Sequence, residues 1–176
     1  IGYGRQSIDD EDIAAVVALA RPRGIIVAVD GAQAAPHMEI NVEKLGVDFY
    51  ACSSHKMLGP LGVGVLYGRR EILKKCPPFL TGGDMIKRVT LEKTEWNDLP
   101  WKFEAGTPDI AGVVAFGAAL EYIRKVGWGV IVQHEQALGA YALAQLTQLP
   151  GLTLYGPHSM EQRFAVFSFN LKDIHE

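Results

Sequence analysis

Ile25-Ile26-Val27-Ala28-Val29, followed by Asp30-Gly31-Ala32-Gln33, is the stretch on which the fold turns. Five apolar residues in a row, without alternation, suit a short strand buried on both faces of a sheet. Polarity returns abruptly at Asp30. Upstream, Ser7 with Asp9, Asp10 and Glu11 reads as a helix start whose acidic residues complement the helix dipole. The helix continues over 13–20 until Pro22 and Gly24 stop it. Downstream, a second strand over 47–52 ends in Ser53-Ser54-His55-Lys56. A turn punctuated by Gly59, Pro60, Gly62 and Gly64 leads to a third strand over 63–67. Strands with chemistry at their carboxyl ends form the open α/β arrangement, in which ligands sit beyond the strand ends.

The pattern loosens over 70–108, where Pro77-Pro78, Gly82-Gly83 and a polar stretch to Pro100 predict an extended excursion rather than packed elements. Helical periodicity returns over 110–126, with Gly112, Gly117, Ala118 and Ala119 permitting close packing. A second helix over 130–148 stops at Pro150-Gly151, and strand-like runs cover 152–155 and 164–171. The expected fold class is α/β, a mainly parallel sheet flanked by helices.

The totals bound the function. At 176 residues the chain is one domain, or one plus the start of another. Hydrophobic residues at 48% and charged residues at 21% are ordinary for a soluble globular protein. A formal charge of −3 supplies no basic field for nucleic acid or anionic lipid. No run approaches the roughly 18 apolar residues that span a bilayer. The polar, acidic N-terminus does not read as a secretory signal. Cys52 and Cys76 are too few for a disulfide framework, and the five histidines show no zinc-site spacing, so no metal is expected. A cytoplasmic or organelle-matrix enzyme is the expectation.

Lys56 carries the first chemical signal. A lysine at the end of a buried strand is disfavoured as an ammonium, which makes its amine a better nucleophile toward an aldehyde. Pyridoxal phosphate enzymes hold their cofactor as a Schiff base to such a lysine. Taken alone, Lys56 reads more readily as a solvated strand-end lysine. Asp30 also terminates an apolar strand, so it belongs at the same sheet edge, and a buried carboxylate needs a cationic partner. A protonated pyridine nitrogen would be one; a helix N-cap is the alternative reading. Gln33, three residues on, is placed to donate to a ring oxygen.

Together, Asp30-Gly31-Ala32-Gln33-Ala34 with Pro36-His37-Met38, Ser54-His55-Lys56, and Phe103-Glu104-Ala105-Gly106-Thr107-Pro108 resemble the class V aminotransferases of fold type I. Within that family they resemble the group II (SufS-type) cysteine desulfurases and selenocysteine lyases, over about residues 24–171. Pro77-Pro78 and Gly82-Gly83 ahead of the last motif favour group II. The resemblance implies pyridoxal 5'-phosphate as cofactor and L-cysteine or L-selenocysteine as substrate. It also implies a homodimer and a possible sulfur-acceptor protein in iron–sulfur cluster assembly. By position, Lys56 would hold the cofactor covalently and move a proton at the substrate Cα, Asp30 would meet the pyridinium nitrogen, and Gln33 the ring oxygen. Ser53 and His55 would bind the phosphate, and Thr107 the phosphate of the partner subunit's cofactor.

Residues 1–128 would form part of the large cofactor domain, with a dimer-facing arm over 81–108. Residues 129–176 would supply a linker helix and the beginning of the small C-terminal domain. Cys52 reads as a small buried hydrophobe, Cys76 as incidental, and His37 as a packing or capping residue. The family's enzymes are about twice this length, and the motifs expected upstream of Asp30 and downstream of Glu176 are not in the sequence. A chain of this kind is expected to bind the cofactor weakly and not to desulfurate cysteine alone. The opening, Tyr3-Gly4-Arg5-Gln6-Ser7-Ile8-Asp9 through Val16, resembles the DegT-type sugar aminotransferases instead. Another class V enzyme, aminotransferase or kynureninase-like, and a non-catalytic remnant or engineered fragment are the rival readings.

Overall fold

A strand needs a straight run, and the turn after the first helix delays it here. α1 (Asp10–Ala20) closes in a tight 3-10 turn, Arg21–Arg23, capped by Gly24 at φ +66°. The Ile25 N–H donates back to the Ala20 carbonyl. The first strand therefore starts only at Ala28: β1 is Ala28–Asp30, and Ile25 and Ile26 remain exposed. This computed structural model describes residues 10–172 and 174. The Ser7 cap and the stretch Tyr3 to Asp9 lie outside the described residues.

β1 pairs in parallel with β2 (Phe49–Ser53), the crossover between them carrying a short helix, α2 (Val42–Leu45). β3 (Gly64–Gly68) pairs antiparallel with β2, giving the order β1-β2-β3. The mainly parallel sheet expected from the sequence is thus parallel at one of its two joints. The link between β2 and β3 is too short for the crossover of a dozen or more residues that a parallel return requires.

The stretch 70–108 is more ordered than its composition indicates. It holds α3 (Arg70–Leu73) and an antiparallel hairpin of β4 (Ile86–Val89) and β5 (Thr94–Trp96). Met85, completely buried, anchors the base of that hairpin, where the Asn97 N–H donates to its carbonyl. The polar sequence Lys87-Arg88 hides the strand, because both faces of β4 beyond Ile86 are exposed. α4 (Ile110–Val126) is capped by Asp109, which accepts from the Gly112 N–H. α5 (Trp128–Leu146) follows almost without a break, and β6 (Leu152–Tyr155) pairs antiparallel with β7 (Ser168–Leu171).

Two apolar clusters position the sheet. Val17, Leu45, Val47 and Tyr50 tie α1 and α2 to one side of β2. Ala35, Met57, Phe116, Ala119 and Ile123 bring the segments after β1 and β2 onto α4. At the sheet end away from Lys56, Asp48 clamps three strands. One carboxylate oxygen accepts from the Val27 N–H at 2.8 Å and the other from Arg69 at 3.0 Å. The Arg69 guanidinium also meets Glu71, and these two acids favour its charged form, Glu71 first. Asp48→Ala leaves the part-buried Val27 N–H and the Arg69 guanidinium without their acceptor and should cost about 2 kcal/mol. Thermal unfolding should register this as a melting point lower by about 4–8 °C.

Candidate active site

The parallel pairing brings the chemistry to one edge. Asp30 is in register with Ala51, two residues before Ser53, and the Gly31 N–H donates to the Ala51 carbonyl at 2.9 Å. Residues opposite one another share a face and alternate along the strand. Asp30, Ala51 and Ser53 therefore point to one face, whereas Val29, Tyr50 and Cys52 point to the other. The chain then leaves β1 through the turn 31–37 and leaves β2 through a 3-10 turn, Ser54–Lys56.

Each exit is fixed from beneath. Ser54 is completely buried; its hydroxyl donates to the Pro60 carbonyl, and its own carbonyl accepts from the Met57 and Gly59 N–H groups. Gly59 sits so tightly that an added Cβ would lie 2.7 Å from the Ser54 hydroxyl oxygen and 2.9 Å from Phe116. Beside Asp30, the Tyr50 ring lies directly under Gly31, and its hydroxyl donates to the Gly31 carbonyl at 3.4 Å. Ala35 and Met57, each on a segment bearing site residues, meet on the same α4 surface. The turn holding Gln33 and the turn holding Lys56 thus share one floor.

Lys56 is half-buried on a 3-10 turn, not sealed at the end of a strand. Asp30 and His55 are exposed, as is Gln33, and Ser53 is half-buried. The burial expected for Asp30 is corrected accordingly: its side chain is exposed, while Ala51 and Ser53 on the same face are half-buried. Nor does Asp30 cap a helix. One oxygen accepts from the Ala32 N–H at 3.0 Å, two residues on, and a succession of turns follows. Thr107 lies in the exposed loop before α4. There the neighbouring Gly106 N–H donates to the Gly83 carbonyl, tying that loop to the base of the arm. Among the described residues the side chain of Lys56 has no ion-pair partner.

An amine, a carboxylate, a hydroxyl and an imidazole thus lie at or just beyond the carboxyl ends of β1 and β2, and these are the group types that hold a charged ring bearing an aldehyde and a phosphate. An open, shallow concavity lies elsewhere, between α1 and α2, lined by Val17, Arg21, Glu43, Lys44 and Leu45.

Cys52 points away from this edge and packs against both apolar clusters. Burial pushes its thiol up, partly offset by a hydrogen bond with the Val65 backbone. Less of it is thiolate at neutral pH than for a free cysteine. Alkylation by iodoacetamide, followed by peptide mass spectrometry across pH, should show Cys52 gaining reactivity only above the ordinary thiol range. Residues that sequence reasoning passed over are the supports: Tyr50, Ser54, Met57 and Phe116. Gly31 and Gly59 were the available signals, since each marks a close approach that no side chain would survive.

The sequence profile of the family described as Aminotransferase class-V matches residues 10–176. A probable cysteine desulfurase from Halalkalibacterium halodurans is 48% identical over 160 residues, covering 91% of this chain and 39% of that protein. A probable cysteine desulfurase from Halobacterium salinarum is 50% identical over 157 residues, 89% of this chain and 38% of that protein. Among solved structures, the cysteine desulfurase CsdA from Escherichia coli superimposes with a TM-score of 0.85 at 36% identity, covering 93% of this chain and 40% of that one. A mutant of C-DES, solved with glycine covalently linked to its PLP cofactor, gives a TM-score of 0.73 at 25% identity, covering 85% of this chain and 41% of that one. The chain therefore spans about two fifths of the length of the relatives it matches. No part of the described fold lies outside the profile match, and the chain belongs to the class-V aminotransferase family.

Proposed function

We propose that this chain is the cofactor-holding part of a pyridoxal-phosphate-dependent cysteine desulfurase of group II, SufS type. The observation that carries the reading is the register of β1 on β2, which ends an aspartate strand and a lysine strand at one edge. The named relatives support the reaction, and the Gly82-Gly83 and Phe103 to Pro108 segments support the subgroup.

When bound, pyridoxal phosphate supplies an electron-poor ring that takes up the electron pair released at the substrate Cα. The residues here bind and orient it. The Lys56 amine would hold the cofactor covalently and, as a free amine, would carry the proton at the substrate Cα. The Asp30 oxygen left open by Ala32 pairs with the ring's N–H, and Gln33 donates to the ring oxygen. The Ser53 hydroxyl and the His55 imidazole bind the phosphate. Thr107, exposed in the loop before α4, serves the site of a second copy, with the hairpin arm as dimer contact. The substrate is L-cysteine, with L-selenocysteine as its alternative, and the sulfur goes to an acceptor protein for iron–sulfur clusters in the cytoplasm. Residues 1–128 belong to the large domain and 129–176 to the linker helix and small domain.

Titrating the 176-residue chain with pyridoxal phosphate should produce a visible absorption band that is absent in Lys56→Ala. No band at any cofactor concentration would sink the assignment. Because Asp30 and Lys56 are not enclosed and both outer sheet edges are unpaired among the described residues, binding should be weak. Cysteine should give no sustained release of sulfide and alanine.

A further inference from the structure

The turn 31–37 carries Asp30 at its root and Gln33 near its tip, yet its internal bonds are few. The Ala34 and Ala35 N–H groups donate to the Gly31 carbonyl, and those of His37 and Met38 to the Ala34 carbonyl. What fixes it in space is a hold at either end. Tyr50 underlies Gly31 at one end. At the other, the His37 Nδ1–H donates to Glu135 Oε1 on α5 at 2.7 Å, and the His37 ring stacks on Phe164 at 5.3 Å between centroids.

These partners are themselves secured. Met160 packs so closely on Gly139 of α5 that an added Cβ would lie 2.2 Å from its methyl carbon. Arg163, next to Phe164, donates to the Pro157 carbonyl at 2.7 Å. His37 therefore joins the turn to a unit built from α5 and the segment before β7, through a contact 98 residues apart in sequence. Both His37 and Glu135 are about three-quarters shielded from solvent, so the charge-assisted bond is only partly screened.

We propose that His37 is a positioning residue for the cofactor ring: through Glu135 and Phe164 it sets where the turn presents Asp30 and Gln33. This rests on the pyridoxal phosphate reading above. A side chain that merely packed would change stability alone; one that positions the turn also changes the turn's local opening and the ring's absorption.

The test uses the full chain with His37→Ala, Glu135→Ala and His37→Asn, whose amide N–H stands in for Nδ1–H. Without cofactor, hydrogen exchange at Ala34, Ala35 and Met38 should quicken roughly tenfold in the two alanine variants, with β2 unchanged. His37→Asn should recover most of the protection. With pyridoxal phosphate, the Lys56-dependent band should shift in position and need more cofactor, in the same order of variants. Unchanged turn exchange, or equal quickening in β2, overturns the proposal. No band in the unsubstituted chain, with the exchange pattern as expected, overturns the cofactor reading and the ring role while upholding the hold on the turn.

Discussion

Gly31→Ala is expected to abolish the Lys56-dependent band and to lower the melting point of the chain by about 5–10 °C, from an overpacking cost of roughly 2–3 kcal/mol. The added Cβ would lie 1.9 Å from both Cζ and the hydroxyl oxygen of Tyr50, well inside any contact distance. Tyr50 is only 5% exposed and packed among Val17, Leu45 and Val47, so its ring has nowhere to retreat. The backbone must move instead. Gly31 lies between Asp30 and the turn, so the acid and Gln33 move with it. Tyr50→Leu, which removes the atoms in conflict, should restore part of the band in the double variant. It will not restore full stability, because it leaves space in the cluster around Val47. A Gly31→Ala chain that melts and binds cofactor like the unsubstituted one would show that the Gly31–Tyr50 contact does not set the site.

The sequence made the chemistry of this edge legible and left its supports obscure, for physical reasons. Asp30 stood out because it ends an apolar run, a break that hydrophobic periodicity reports directly, and Lys56 because it closes the polar Ser53-Ser54-His55 segment after another such run. The helix over 110–126 was legible to the residue, since Asp109 caps it and Gly127 ends it. The hairpin Ile86–Val89 with Thr94–Trp96 was not, because its strands are largely solvated and carry no apolar alternation. The antiparallel return of β3 follows from loop length, which was visible, rather than from the strand itself, which was not informative about direction. His37 read as a packing residue because its partners Glu135 and Phe164 lie far along the chain, where local pattern carries no information. Exposure of Asp30 was likewise invisible: an apolar run predicts a buried strand, but what covers its last residue depends on segments distant in sequence.

Phe116→Ala is the substitution that should damage both halves of the site at once. Phe116 is 5% exposed on α4 and packs against Ala35, two residues after Gln33, and Met57, the residue after Lys56. Its ring also closes the space above Gly59. Truncating a buried phenylalanine costs about 3–5 kcal/mol through lost burial and the cavity left behind. For a chain of this size that corresponds to a melting point lower by roughly 6–20 °C. The loss differs in kind from that of Asp48→Ala, which loosens the far end of the sheet and leaves the α4 floor intact. Without Phe116 the turn 31–37 and the 3-10 turn at Lys56 no longer share a fixed separation. The cofactor requirement should therefore rise even at temperatures where the chain stays folded. Val114→Ala and Tyr122→Ala, on the exposed side of the same helix, are the controls and should change either quantity little. Circular dichroism melts paired with absorbance titrations below the melting point separate the two effects. If Phe116→Ala lowered stability while the folded fraction took up pyridoxal phosphate with unchanged affinity, α4 would be a support for the fold and not the floor that spaces Asp30 from Lys56.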